Sequence, residues 1–209
     1  MFNPFKLDNK NEIVLSLLNI EETSELFTRL TALQNEININ HDTKIVAVTS
    51  INSDYLTAAF AKALADTYAL NRSSALIIDA NLYNPCLYGL TKQSIGVESS
   101  DSSLSGIVKI NRLNEKVTTI CIDKQVYPTD TFKSGVIHNL IKEYSGPFDH
   151  VILLVPALKE HKEVVLFKDV INSVLLVTQR NVTKKKDIYE SLQFLATNNI
   201  PVAKTIVLK

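Results

Sequence analysis

Six short apolar runs, separated by longer amphipathic stretches, constrain the fold of this chain more than any other feature. The runs cover residues 44–50, 75–80, 117–122, 150–155, 173–178 and 203–208. Most are nearly continuous in Val, Ile and Leu, which is typical of strands buried on both faces rather than on one. They predict a mostly parallel sheet that is covered by helices on both sides.

Amphipathic stretches of helical length lie between these strands. The predicted helices cover residues 11–19, 22–37, 56–70, 130–144 and 183–197. Alternation of strands and helices predicts an α/β fold with a doubly wound sheet and right-handed crossovers. We expect residues 91–115, rich in Ser, Asn and Asp, to form a long surface excursion. We expect residues 1–209 to form one domain, with 1–40 as an N-terminal helical arm.

Charge and cysteine content exclude several classes of protein. Lys plus Arg and Asp plus Glu number 22 each in 209 residues, so no net charge favours nucleic acid as a partner. Cys86 and Cys121 are far apart and form neither a metal-binding spacing nor a disulfide framework. The scattered histidines likewise predict no metal site: His41, His138, His150 and His161. These features, with no signal-peptide pattern or long apolar span, predict a cytoplasmic protein.

The connection after the first predicted strand departs from the pattern of nucleotide-binding α/β proteins. Those proteins place a glycine-rich loop there, whose backbone N–H groups and lysine hold phosphates. Residues 51–57 read Ile-Asn-Ser-Asp-Tyr-Leu-Thr, with neither glycine nor lysine. The sequence therefore predicts the scaffold of a nucleotide-binding protein without its usual phosphate-binding loop.

A series of strings, in order along the chain, carries a family resemblance. They are residues 48–50, 58–65, 76–85, 96–106, 148–156, 174–178 and 203–209. Residues 76–85 read Leu-Ile-Ile-Asp-Ala-Asn-Leu-Tyr-Asn-Pro, and residues 148–156 read Phe-Asp-His-Val-Ile-Leu-Leu-Val-Pro. The series resembles the cytoplasmic domain of bacterial tyrosine kinases of capsule and exopolysaccharide synthesis, relatives of the MinD/ParA group of deviant P-loop ATPases.

The resemblance implies a nucleotide site, and the chain departs from it at several positions. The first loop is about four residues shorter than the family's, which leaves Ser53 and Asp54 in place of the phosphate cradle. Thr57 is either the magnesium-ligating hydroxyl or an ordinary threonine at a helix start. Asp79 keeps one carboxylate of the second acidic motif and is either a base or a turn former.

Three further positions differ from the family where its side chains contact the nucleotide or metal. Asn81 replaces the second carboxylate of the acidic motif, and Lys209 replaces an asparagine that meets the base. Leu154 replaces a carboxylate of the magnesium shell and offers no oxygen to a hard cation. We therefore expect no cofactor and no metal site, and treat Asp79 and Thr57 as vestiges of catalysis.

Two surface segments are candidates for protein contacts. Residues 25–31 resemble the family's Glu-x-x-Arg-x-x-Arg assembly motif with Glu25 kept and threonine at both arginine positions. Because threonine cannot replace a bidentate arginine, an oligomeric ring is not expected. The interaction candidates are Glu25, Phe27, Arg29, Lys184, Lys185 and Lys186, the three lysines being either a solvated face or a docking patch for an acidic partner or phospholipid.

The departures favour a catalytically inactive homologue of these kinases that regulates or scaffolds polysaccharide synthesis or export. ATP and magnesium are expected only under an alternative, an active kinase or ATPase that uses Asp79 and a rearranged loop. A third hypothesis is a MinD/ParA-like positioning or assembly module without nucleotide switching. The resemblance implies a partner in the cytoplasmic segment of a membrane polysaccharide co-polymerase or related assembly protein, which would recruit the chain to the membrane. A homologous active kinase is a second candidate partner.

Overall fold

The computed structural model describes residues 21, 24–40, 44–90, 96–98, 108–123, 128–133 and 135–208. The strands in these ranges are β1 (Ile45–Ser50), β2 (Ala75–Asp79), β3 (Gly96–Glu98), β4 (Val108–Arg112), β5 (Val117–Ile122), β6 (His150–Leu154), β7 (Ser173–Gln179) and β8 (Val202–Leu208). The helices are α1 (Glu25–Asn40), α2 (Asp54–Leu70), α3 (Leu87–Leu90), α4 (Pro128–Lys133), α5 (Val136–Tyr144) and α6 (Lys185–Thr197), with a 3₁₀ turn at Glu163–Phe167.

The described strands form one sheet in the order β3-β4-β5-β2-β6-β1-β7-β8. In the part of this order that runs from β5 to β8, adjacent strands are parallel. At one edge, β4 pairs antiparallel with β5, and β3 pairs antiparallel with β4. This confirms the predicted doubly wound, mostly parallel α/β fold. No helix in the described ranges is long and apolar enough to cross a membrane.

Side chains of the central strands pack alternately into two cores. Val46, Val48 and Ile77 belong to the core under α1 and α2, while Ala47 and Ile78 belong to the core on the other face, together with residues of α5 and α6. Residues on both faces of these strands are buried, which explains why the sequence shows continuous apolar runs instead of alternation.

Helix α2 is buried along most of its length. Its alanines allow a close approach to the sheet, and Phe60 and Leu64 are fully enclosed. Helix α1 docks against it through Gln34, whose side-chain amide donates to the carbonyl of Leu64 at 3.3 Å and accepts from Asn71 at 2.9 Å. The α1–α2 pair thus forms one of the two layers that enclose the sheet.

Two details of the predicted architecture are wrong. Residues 91–115 are not simply a long surface excursion, because β3 and β4 lie in this range and belong to the sheet. Strand β4 pairs antiparallel with β5, and polar residues lie between its apolar ones, so it lacks the continuous apolar pattern of the buried parallel strands. The helix predicted over 130–144 is divided into α4 and α5, where Gly135 adopts a left-handed φ of 74°.

Helix α6 begins at Lys185 rather than at Thr183. The hydroxyl of Thr183 accepts from the backbone N–H of Gln179 at 2.9 Å, and therefore stabilises the preceding turn. The predicted helix 11–19 lies outside the described residues, as does most of the 1–40 arm before α1. The division of the chain into one domain with such an arm stays a prediction.

The substitution Phe60→Ala should destabilise the protein by about 3–5 kcal/mol, because it leaves a cavity between α2 and the sheet. The control Tyr55→Ala, on the same helix but 45% exposed, should cost less than about 1 kcal/mol. Urea unfolding followed by circular dichroism measures both. Equal losses for the two variants would contradict the described packing of α2.

Candidate functional site

Four loops meet at the carboxyl edge of the sheet. They follow β1, β2, β6 and β7 and cover residues 51–53, 80–86, 155–162 and 180–184. Strand β1 lies between β6 and β7. The connection from β1 leads to β2 on one side of it, whereas the connection from β7 leads to β8 on the other side. Open α/β sheets bind ligands at such a reversal of strand order, so this edge is the candidate site.

The connection between β1 and α2 consists of three residues, 51–53, and bonds to itself. The hydroxyl of Ser50 donates to the carbonyl of Ser53 at 2.8 Å and accepts from its N–H at 3.0 Å. The hydroxyl of Ser53 caps α2 by accepting from the N–H of Leu56 at 3.3 Å. The hydroxyl of Thr57 donates to the Ser53 carbonyl at 2.9 Å. These groups hold the loop closed against the helix start.

Asp54 places a negative charge of the protein itself at the start of α2. Its carboxylate accepts from the backbone N–H of Ala157 at 3.0 Å and from the side chain of Asn84 at 3.3 Å. The positive end of the helix dipole stabilises an anion in this position. Asp54 therefore links the loops after β1, β2 and β6. Its carboxylate lies at a helix start, a position at which many proteins bind phosphate.

Asp79 ends β2 and is almost completely buried. Its two carboxylate oxygens accept from the backbone N–H groups of Asn81 and Leu87, both at 3.0 Å. Burial raises the pKa of Asp79 to about 6; the backbone hydrogen bonds oppose this shift, and the nearby charge of Asp54 adds to it. The side chain of Asn81 accepts from the N–H of Asn84 at 3.1 Å. Asp79 and Asn81 thus shape the loop after β2.

The cavity between these carboxylates is very small. It measures about 10 Å³ and is lined by Asp54, Thr57, Asp79, Asn81, Asn84 and Leu154, among others. That volume holds no more than about one water molecule. The Leu154 side chain is buried here and belongs to the core under α2, so it contributes carbon and no metal ligand.

Two carboxylates and one thiol are the titratable side chains among the described residues that line this cavity. Within the described ranges, no group of three or more His, Cys, Asp or Glu side chains could hold a metal ion. Cys86 also lines the cavity, and burial raises the pKa of its thiol to about 12. The thiol is therefore protonated at neutral pH and is a poor nucleophile.

A larger cavity of about 120 Å³ lies beside the first, between the ends of β1 and β7. Its lining combines apolar and polar residues: Ser50, Asn52, Ser53, Leu56, Val177, Gln179, Val182 and Thr183. Typical small-molecule sites measure roughly 300–1,000 Å³, so this cavity is too small for a whole nucleotide.

Tyr83 lies in the loop after β2, at the same edge of the sheet. Sequence analysis did not identify it as a site residue. Its hydroxyl donates to the carboxylate of Glu163, and its ring stacks on His161 with centroids 3.8 Å apart. The partners are about 80 residues from Tyr83 along the chain, so no local pattern could indicate the contact. Asp54 and Asn84 were equally hard to pair from sequence.

The other candidate residues lie outside these cavities. Glu25 and Arg29 form an exposed ion pair within α1 at 2.5 Å, and Phe27 is partly buried on the same helix. Lys184, Lys185 and Lys186 lie exposed at the start of α6. Lys209 lies outside the described residues. The structure therefore brings together Ser53, Asp54, Thr57, Asp79, Asn81 and Leu154, and separates the interaction candidates from them.

Comparison with solved structures shows that this fold is similar to those of bacterial tyrosine kinase domains and of MinD and ParA proteins. The chimerical protein CapA2B2 is similar over 90% of this chain and 86% of its own, with a TM-score of 0.76 and 16% identity. The kinase domain of Escherichia coli tyrosine kinase ETK matches over 87% and 74%, with a TM-score of 0.70 and 16% identity. The MinD cell division protein of Aquifex aeolicus matches over 78% and 68%, with a TM-score of 0.54 and 17% identity. No protein-family model and no curated protein matches the sequence.

The cost of the substitution Asp79→Asn should depend on pH. Because the folded pKa of Asp79 lies above its unfolded value, its contribution to stability is present at low pH and is lost as pH rises through about 6. Asparagine does not ionise, but it leaves one of the two backbone N–H groups without its acceptor. The variant should therefore be destabilised by about 2 kcal/mol more near pH 4.5 than near pH 7.5.

Urea unfolding of wild type and Asp79→Asn at both pH values measures this difference. Titration of His150, whose pKa burial lowers, occurs in both proteins and cancels in the comparison. A cost that is the same at both pH values would contradict the raised pKa of Asp79.

Proposed function

We propose that this protein is a catalytically inactive relative of the bacterial tyrosine kinases of capsule and exopolysaccharide synthesis. In this role it regulates or scaffolds polysaccharide synthesis or export through protein contacts. The proposal rests on the three-residue connection from β1 to α2 and on the carboxylate of Asp54, which lies at the helix start and accepts from the backbone N–H of Ala157. The likeness of the fold to tyrosine kinase domains supports the kinase ancestry.

Electrostatics at this edge disfavour a nucleotide. Phosphoryl transfer depends on positioning and on neutralising the phosphates with metal ions and cationic side chains. Among the residues that the structure describes, Asp54 and Asp79 line the cavity and no lysine or arginine does. A phosphate about 4 Å from one carboxylate would be repelled by about 4 kcal/mol at an effective dielectric constant of 20.

The partner in this proposal is the cytoplasmic segment of a membrane polysaccharide co-polymerase or a related assembly protein. A homologous active kinase is the second candidate. Both follow from the kinase-like fold by analogy. Pull-down with tagged protein from cells that make the polysaccharide distinguishes these partners from division or secretion proteins.

One observation favours an alternative, an active kinase or ATPase with a non-standard site. Asp54, Thr57 and Asp79 line the same cavity and provide oxygen atoms that a magnesium ion could use after local rearrangement. The MinD likeness supports a third candidate, a positioning or assembly module without nucleotide switching. Nucleotide affinity separates the active enzyme from both of the other candidates.

We expect no binding of ATP and magnesium at concentrations up to about 1 mM by isothermal titration calorimetry, because the phosphates have neither a cradle nor a cation. We likewise expect no labelling of the protein's own tyrosines with radioactive ATP. The variant Asp79→Asn is the matched control. Micromolar binding that this variant abolishes would contradict the proposal and favour the active enzyme.

The protein should not assemble into a kinase-type ring. The single arginine of residues 25–31 is Arg29, which pairs with Glu25 of its own helix. Threonines at positions 28 and 31 cannot make a bidentate contact with a neighbouring subunit. Size-exclusion chromatography with light scattering should give a monomer or small oligomer, unchanged in Arg29→Gln. A stable octamer that Arg29→Gln dissociates would contradict the expectation.

A further inference from the structure

An exposed surface at the start of α6 combines positive charge with apolar groups, and we propose that it docks the protein on a membrane containing anionic lipids. This cationic surface consists of Arg180, Val182, Lys184, Lys185, Lys186 and Tyr189. It lies where the chain leaves β7 at the carboxyl edge of the sheet. This inference goes beyond the proposed function, and it does not depend on whether the cavity at the carboxyl edge binds a nucleotide.

The cations of this surface are largely free to meet an external anion. Arg180, Lys184 and Lys185 are exposed and form no ion pair within the part of the chain that the structure describes. Lys186 lies 3.6 Å from Glu190 and its side chain is 80% exposed, so it stays hydrated. Because the whole chain carries equal numbers of acidic and basic residues, this charge is a local concentration.

The acidic groups nearby do not cancel the charge. Asp187 is the only acidic residue between positions 180 and 189. Its side chain is 15% exposed and pairs with Lys159 at 3.1 Å. Glu190 contributes one exposed carboxylate, opposite four cations. The net local charge of the exposed groups is therefore positive.

The lysines lie where they weaken the helix that carries them. Lys184 occupies the N-cap of α6 without a capping side-chain bond, and Lys185 and Lys186 follow in the first turn. Cations at this end oppose the helix dipole, whereas an external anion would be stabilised there. Local helix stability therefore does not account for three successive lysines at this position.

Apolar groups share the surface with the cations. Val182 is 42% exposed and Tyr189 is 68% exposed. Tyr189 lies four residues after Lys185 and three after Lys186, so these side chains are neighbours on one face of α6. Tyrosine rings favour the headgroup region of a bilayer, where the ring contacts apolar groups and the hydroxyl contacts water.

The composition of the surface favours a lipid membrane over an acidic protein. Three of the four cations are lysines, which are depleted at protein interfaces and act as flexible point charges. Recognition of a defined carboxylate typically uses the planar fork of arginine instead. A helix start presenting lysines is suited to the diffuse negative potential of a lipid leaflet.

The test is co-sedimentation of the full chain with vesicles of phosphatidylcholine, alone or with about one-third phosphatidylserine. We expect binding to the anionic vesicles only, weakened by high salt because the attraction is electrostatic. The double variant Lys184→Gln/Lys185→Gln should weaken binding roughly 20- to 30-fold, at about five-fold per lost cation. Tyr189→Ser should weaken it several-fold, and part of that loss should persist at high salt.

The matched control is Lys142→Gln/Lys168→Gln, which removes the same charge from exposed lysines near the amino-terminal edge of the sheet. Circular dichroism melts confirm that each variant is folded. Unchanged binding of the control supports the proposal. An equal loss in the control would overturn it, as would absence of binding to anionic vesicles by the wild type. Binding to a poly-glutamate peptide without binding to vesicles would also overturn it and assign the surface to an acidic protein.

Discussion

The close packing of α2 against the centre of the sheet is the constraint on which the rest of the structure depends. Its buried alanines bring the helix backbone near β1, and Phe60 and Leu64 fix its position. With the helix held there, residues 51–53 are enough to connect it to β1. The short connection and the bulk of Leu154 leave only a small cavity beneath the helix start. Core packing and the short connection after β1 are thus parts of one arrangement.

Polar groups at the carboxyl edge act as structural supports for the loops. Asp54 holds the loops after β2 and β6, and Asp79 accepts from two backbone N–H groups in the turn that follows it. A buried carboxylate is tolerated only when such hydrogen bonds offset its lost hydration. Each oxygen that supports a loop is less available to a metal or nucleotide. The edge therefore has the polar groups of a reactive site in a stable, closed arrangement.

The sequence predicts the central sheet well because continuous apolar runs are a local signal, and each predicted run corresponds to a parallel strand. It misses β3 and β4, whose short antiparallel pairing depends on neighbours rather than on their own composition. At the site, it identifies Asp54 and Asp79 as positions but not what they contact. The bonds of Asp54 to Ala157 and of Tyr83 to Glu163 join residues distant in the chain, and they exist only once the sheet has brought the loops together.

Opposite charges are separated at the carboxyl edge, and this separation links the closed cavity to the exposed surface. The carboxylates of Asp54 and Asp79 point inward, in contact with backbone N–H groups, whereas Arg180 and the lysines at 184–186 point toward solvent. A site that binds a phosphorylated ligand turns cations toward that ligand, either side chains or a metal ion held by carboxylates. The carboxyl edge thus has its carboxylates on the inside, bonded to backbone N–H groups, and the cations of the α6 start on the outside, in contact with solvent.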